Sequence, residues 1–425
     1  MMNAALRLGL AIVGLTVSIV APARTLAADF TFTKIADTTD GFSSFFNAPA
    51  LNDTGTVAFS GTLSNGSTGV FTGSGSAIAP IAIAQGSNSS NFSSVITNPA
   101  INNAGTVVFG ANTTSSSNVS IFASSGRGVT PIAALNNVTL TTAIGPTITP
   151  AINDAGTIAF GAYNQPSFTP SVSVSQNGQI SPVNLSGDGS LSTTPTAPTA
   201  IGLDKSGTVV LSSGSPGSLG GGGIFATSPS QPPRVLTNGG FFTVSVNRDG
   251  TFAAPFAGAA GSSGIAIGNT NGELNPRFIF GGVNYIDPIS SATFISSASI
   301  NDQGRVVFLG DRTINPYPIP QSLSFINADQ ITGSTNVSIA NKIISTGDPL
   351  FGSTVTSIGQ ISARGLNNAD QVVFYAQLAD GRVGIFRAEP IPEPHTVIPS
   401  VLLLMGFGVR RIIKRRTALT HRKRS

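Results

Sequence analysis

The sequence predicts an all-β protein, a seven-bladed β-propeller of four-stranded blades closed by its N-terminal strand. Three observations lead there. A turn-and-strand motif returns seven times along the 425 residues. Further short apolar segments follow each copy. One surplus strand signal stands before the first copy, where the last copy lacks one. A period near 50 residues marks solenoids and propellers, and four strands per repeat describe a propeller blade. An open β-solenoid is the alternative, but it needs no displaced strand.

The motif is "ALNDTGTVAFSG" at 50–61, "AINNAGTVVFGA" at 100–111 and "AINDAGTIAFGA" at 151–162. Its first polar residue falls at Asn52, Asn102, Asn153, Asp204, Asn247, Asn301 and Asn367. The residue before it is always aliphatic, from Leu51 to Leu366. Five and seven places on, apolar residues such as Val57 and Phe59 line one face of a strand. Four residues must reverse the chain between these two elements. Three places on stands Gly55, Gly105, Gly156, Gly207, Gly250, Gly304 and, in the seventh copy, Asp370. Glycine takes positive φ at little cost, as a type I turn with a G1 bulge requires. An Asn or Asp opening the turn can bond its own backbone two residues on. Asp53, Asp154 and Asp302 raise the question of calcium, but one carboxylate per turn is far from the six to eight oxygens of a calcium site. They read as turn chemistry.

A third strand follows at "GVF" (69–71), "SIF" (120–122), "GIF" (223–225) and "GIF" (384–386), with weaker forms at 171–175, 264–268 and 322–326. A fourth follows the first six copies at 78–84, 129–135, 179–185, 233–237, 276–280 and 341–345. The seventh copy ends at "GIFRAEP" without one, and "FTFTKIA" (30–36) supplies it from the other end. Such closure removes the open edges that invite aggregation. The insertion around "DRTINPYPIPQ" (311–321) falls within blade six.

Both ends read as addresses. Arg7, an apolar run from Leu8 to Ala21 and small residues at Ala27 and Ala28 make a secretory signal peptide over 1–28. Cleavage is expected after Ala27, with Ala28 as the alternative. The body then spans 29–389. Beyond it, 390–425 carries Pro392, Glu393 and Pro394, a short apolar transmembrane segment (396–413) and an Arg-rich end. The run Thr396–Val409 falls short of the ~20 residues of a spanning helix, but snorkelling by Arg410 and Arg411 extends its reach. The basic block would stay cytoplasmic and leave the body outside. This order of features resembles the PEP-CTERM sorting signal of Gram-negative bacteria. The resemblance implies recognition by an exosortase that removes a transient anchor during export. A plain C-terminal membrane helix is the alternative.

"NDTGTVAF" and "NDAGTIAF" also resemble the repeats of bacterial surface proteins marked by tandem N-x-x-G-x-x-A-F units and alternative C-terminal anchors. That resemblance covers 30–388. It implies a cell-surface or extracellular role and no defined activity.

Composition narrows the chemistry. Only 9% of residues are charged, against ~25% in ordinary globular domains. There is no Cys, which excludes disulfides, thiolate metal sites and Cys nucleophiles. The only histidines, His395 and His421, lie in the tail, so the body holds no Ser-His-Asp triad and no His metal site. Leader and tail hold ten of the 22 basic residues, which leaves a net charge of −6 over 29–394, and such a body does not attract nucleic acid. "GSPGSLGGGG" (214–223) lacks the Lys and helix of a phosphate loop and reads as a connection between strands. No cofactor is called for. Asp188, Glu273, Asp287, Asp311, Asp329, Asp348 and Asp380 are the carboxylates outside the repeat turns that a glycosidase-like pair would draw on, but no pattern joins two of them. Tyr285, Tyr317 and Tyr375 are candidates for stacking on sugars. The expectation is a non-enzymatic exported protein whose propeller binds surface polysaccharide or another envelope component. A carbohydrate-active enzyme using Asp and Glu, or a purely structural matrix protein, is the alternative.

Overall fold

Seven antiparallel β-sheets surround a central channel in the computed structural model. It describes residues 30–391 apart from 47, 85–91, 96, 115, 136–149, 165–168, 184, 186–197, 214–222, 239, 242, 258–262, 272–276, 282–293, 312–320, 329–334 and 337–340. The leader with Ala27 and Ala28, the motif Pro392–Glu393–Pro394 and the segment 396–413 lie outside the described residues, and no described helix is long and apolar enough to cross a membrane.

Blade one holds Phe42–Phe45 with Ala50–Leu51, then Val57–Leu63, Thr68–Gly73 and Ile78–Ile83. Blade two holds Phe92–Val95 with Ala100–Ile101, then Val107–Thr113, Ser116–Ser124 and Val129–Leu135. Blade three runs through Ala151–Ile152, Ile158–Asn164, Thr169–Gln176 and Gln179–Val183. Blade four runs through Pro198–Leu203, Val209–Ser213, Gly223–Ser228 and Gln231–Asn238. Blade five holds Gly240–Phe241 with Ser245–Val246, then Thr251–Ala257, Ser263–Asn269 and Arg277–Gly281, and a short parallel piece, Thr335–Asn336, joins its outer edge. Blade six is Phe294–Ile300, Arg305–Asp311, Ser322–Asn327 and Asn341–Ser345. The insertion foreseen at 311–321 leaves from between its second and third strands.

Blade seven closes the ring. Ser353–Ile358, Val372–Leu378 and Val383–Pro390 come from the end of the body, and Phe30–Asp37 adds the fourth strand, with Phe32 opposite Ala388. The displaced strand lies where the sequence places it. Blades one, two and five interrupt their first strand, and blade seven has the longest such break. Gly359 N–H still donates to the Tyr375 carbonyl; the chain then runs through 360–364 along the channel and returns at Gly365, whose carbonyl accepts from Val373 N–H.

The core is divided among the interfaces between neighbouring blades. Blades seven and one share Ile35, Val373 and Ile385 with Phe42, Phe45, Val57 and Phe59. Blades one and two share Val70 and Ala82 with Phe92, Val107 and Phe109. Comparable clusters fill the remaining five interfaces. The alternation read in the motif is the cause, since Phe59, Phe109 and Phe374 are fully buried. Across the sheet Phe59 stacks on Phe71 at 5.7 Å and Phe109 on Phe122 at 5.8 Å, so the "GVF" and "SIF" segments supply the partner rings.

All seven motif turns have the expected geometry. Gly55 N–H donates to the Asn52 carbonyl at 3.1 Å, and the other six copies repeat this bond at 3.0–3.2 Å. Every third residue has positive φ, from 60° at Asp370 to 86° at Gly207.

Candidate functional site: the central channel

The turn-opening residue does more than shape its own turn. Each of the seven accepts the backbone N–H four residues on at 2.9 Å, from Thr56 to Gln371. That leaves the asparagine Nδ2 free to reach the next blade. Asn52 donates to the Asn102 carbonyl, Asn102 to Asn153, Asn153 to Asp204, Asn247 to Asn301, Asn301 to Asn367, and Asn367 back to Asn52, at 2.9–3.2 Å. Asp204 has no amide hydrogen to give. At that joint the Lys205 N–H donates to the Arg248 carbonyl at 3.1 Å, and Lys205 Nζ pairs with Asp249 at 2.5 Å.

The next residue of each turn builds a second ring at the channel mouth: Asp53, Asn103, Asp154, Lys205, Arg248, Asp302 and Asn368. Asn103 Nδ2 joins Asp53 at 2.7 Å and Asp154 at 3.0 Å. Asn368 Nδ2 joins Asp53 at 2.9 Å and Asp302 at 2.7 Å. Backbone N–H groups of Asn368, Asn103 and Arg248 donate to the other oxygens of Asp53, Asp154 and Asp302. All six carboxylate oxygens therefore accept hydrogen bonds within the ring. Among the described residues no group of three or more His, Cys, Asp or Glu side chains is placed to hold a metal ion.

Arg364, on the channel segment of blade seven, lines the 330 Å³ cavity inside this ring. Burial draws its guanidinium below the ordinary arginine range, against the opposing pull of Asp154, Asp53 and Asp302. The backbone of the segment is firmly held. The Ala363 carbonyl accepts from the Ser245 hydroxyl at 2.6 Å and from Ser299 at 3.1 Å, and the Arg364 carbonyl accepts from Leu51 N–H at 2.8 Å. Ser362 Oγ donates to the Pro49 carbonyl at 2.7 Å.

Ala363 and Arg364 divide the channel. On the other side lies a 400 Å³ cavity walled by small and apolar residues, among them Ala48, Pro99, Ala200 and Val244, with Asn98, Thr243, Gln360, Ser362 and Arg364 as its polar groups. Asn98 Oδ1 and Thr243 Oγ1 are buried there without a hydrogen-bond partner among the described residues.

The three turn aspartates singled out in the sequence thus meet, but as acceptors in a lattice. Arg364, Asn103, Asn368, Lys205 and Arg248 were not singled out. The signal was present: the place after the turn-opening residue is polar in all seven copies. The carboxylates outside the turns do not gather. Asp348 accepts from Lys342 at 2.9 Å, and Asp380 pairs with Arg382 at 2.8 Å, which holds its carboxyl below the usual range. Tyr375 packs half-buried at the interface of blades seven and one. Asp311 ends a strand of blade six. Asp188, Glu273, Asp287, Asp329, Tyr285 and Tyr317 lie outside the described residues.

Residues 16–398 match a family described as "Family of unknown function (DUF7453)". No curated protein matches the chain. Among solved structures, the chain is similar to the β-propeller domain of the Trilobed protease from Pyrococcus furiosus, with 9% identity, a TM-score of 0.51, and coverage of 84% of this chain and 99% of that one. That domain is described as having an open velcro topology, whereas here Phe30–Asp37 closes the last blade. An acylaminoacyl peptidase from Pyrococcus horikoshii matches at 9% identity and a TM-score of 0.48, over 87% of this chain and 55% of that one. A GH74 xyloglucanase from Xanthomonas campestris matches at 10% identity and a TM-score of 0.45, over 74% and 47%. The likeness to the Trilobed protease domain agrees with the propeller fold.

Proposed function

This chain belongs to that family of unknown function, and on that premise we propose that it is an exported, non-enzymatic cell-surface protein whose propeller binds surface polysaccharide or another envelope component. The observation that carries the binding half is the 400 Å³ cavity with two unpartnered polar atoms, Asn98 Oδ1 and Thr243 Oγ1, set in apolar walls. Concave, mostly apolar pockets with a few convergent polar groups are the usual form of a binding site. A sugar has the matching chemistry, with apolar C–H faces for Ala, Pro and Val and hydroxyls for an amide oxygen and a threonine.

The non-enzymatic half rests on the state of the acids. Each oxygen of the channel carboxylates is engaged by an N–H donor of the ring, an arrangement that serves the architecture rather than proton transfer. The exported address rests on the two sequence ends. A signal peptide and a PEP-CTERM-like tail handled by an exosortase would deliver the body to the surface with only a transient anchor.

A glycan array probed with the full chain, over a panel of bacterial exopolysaccharides, tests binding, and silence across the panel overturns it. Incubation with the bound polymers, read by reducing-end release and lyase absorbance, is expected to give no turnover. Product formation would transfer the protein to the carbohydrate-active enzymes. Intact-mass analysis of surface-exposed protein is expected to find both ends removed.

A further inference from the structure

The turn end of the channel has an excess of one kind of hydrogen-bonding capacity. Every oxygen of Asp53, Asp154 and Asp302 already takes an N–H of the ring. Among the described residues, the half-buried Arg364 guanidinium makes no hydrogen bond and no ion pair within 4.0 Å, although it carries five N–H groups and lines the open 330 Å³ space. A partly desolvated charged donor without a partner gains from whatever accepts from it.

The cations are also segregated. Blades six, seven, one, two and three contribute the Asp and Asn lattice. Blades four and five contribute Lys205 and Arg248, where Asp204 interrupts the asparagine ring. Arg248 Nε stands only loosely against Asp154 at 3.8 Å and Asp302 at 4.0 Å. Lys205 holds Asp249, with both side chains well exposed, so that pair is weak and exchangeable.

We propose that this end of the channel is a second binding site, specific for the carboxylate of a small monoanionic ligand of the size of a uronic acid, held by Arg364 with Arg248 and Lys205 at its flank. A planar carboxylate takes two parallel N–H bonds from a guanidinium. The three ring aspartates face Arg364, Arg248 and a Lys205 already shared with Asp249, so it is the directed N–H fork of Arg364, rather than net charge, that would hold a carboxylate. A metal cation meets the fixed positive charge of Arg364 there. Arg364 lines the apolar cavity as well, so the two sites are told apart by a residue of that cavity alone, such as Asn98.

Isothermal titration of the full chain with glucuronate, glucose, acetate and inorganic phosphate tests the site. Glucuronate is expected to bind, weakening as salt rises, with acetate and phosphate weaker and with glucose giving no measurable heat. Arg364→Met keeps the length and apolar stem and is expected to lose glucuronate binding by about tenfold or more, while Arg364→Lys keeps the charge and loses part of it. Arg248→Gln, at the rim, is expected to weaken binding about threefold without changing the melting temperature. Glucuronate binding that survives unchanged in folded Arg364→Met, or that is matched by glucose, overturns the proposal. So does the absence of any glucuronate heat in the wild-type chain. Loss of polymer binding in a variant of Asn98 with glucuronate binding intact separates this site from the other.

Discussion

Asn367, in the last repeat, donates its side-chain amide to the backbone carbonyl of Asn52, in the first, at 3.0 Å. The bond joins residues 315 positions apart and completes the chain of asparagine links around the channel. The same side chain accepts the Gln371 N–H at 2.9 Å, so one amide shapes its own turn and fastens the neighbouring blade.

The ring has one missing link, and that defines a pair of opposite substitutions. Asp204→Asn supplies an amide donor facing the Asn247 turn and is expected to stabilise the protein by about 0.5–1.5 kcal/mol. Asn102→Asp removes a buried donor to the Asn153 carbonyl and is expected to cost about 1–3 kcal/mol. Urea unfolding of both variants beside wild type measures the two signs. Equal destabilisation would mean that these links hold little energy.

Much of this was open to inspection in the sequence, for a physical reason. The alternation of Val57 and Phe59, the positive φ needed at Gly55 and the unmatched strand at Phe30 are local demands that each repeat states by itself. The second task of the asparagine is not local. Nothing within "NDTG" tells that its amide reaches a carbonyl about 50 residues away, because a turn needs only the oxygen. The channel site was harder still. Arg364 stands outside the motif, in the longest break of a blade's first strand, and its meaning depends on Asp53, Asp154 and Asp302 meeting around it.

The turn glycines are expected to differ in tolerance although their φ angles agree. At Gly105, φ is 78° and an added Cβ would meet nothing within 4 Å, so Gly105→Ala costs only the left-handed backbone, about 1–2 kcal/mol. At Gly250, φ is 82° and the same Cβ would collide with Thr270, so Gly250→Ala is expected to cost more and to disturb the joint with Asp204. Thermal melts of the two variants give the ranking.

Acid is expected to loosen the closing strand through Glu389. This residue accepts from Thr33 on that strand at 2.8 Å and from Arg387 at 2.6 Å. Partial burial works to raise its pKa, but the hydrogen bonds from Arg387 and Thr33 and the Arg387 charge outweigh it, and the folded value lies below 4.5. A depressed folded pKa adds stability that is complete above the unfolded value and fades as pH falls through the folded one. Glu389→Gln is therefore expected to be less stable than wild type at neutral pH, by about 1 kcal/mol for a partly buried pair. The difference should close on acidification below 4.5. Unfolding free energies across that range test the sign, and a gap that widens in acid would refute it.

The apolar cavity offers a substitution whose two readouts should move in opposite directions. Thr243 Oγ1 is buried at the cavity wall without a hydrogen-bond partner among the described residues, so the free protein bears an unrecovered desolvation cost. Thr243→Val keeps the branched shape and removes that cost, so the unliganded protein is expected to gain about 1 kcal/mol. If the hydroxyl exists to meet a ligand, the same change removes a hydrogen bond to the bound sugar, and affinity for any polymer that binds is expected to fall about fivefold to tenfold. Denaturation and binding measured on one preparation read both. A stabilised variant with undiminished affinity would mean that Thr243 does not touch the ligand, and a destabilised one that its hydroxyl already has a partner inside the fold.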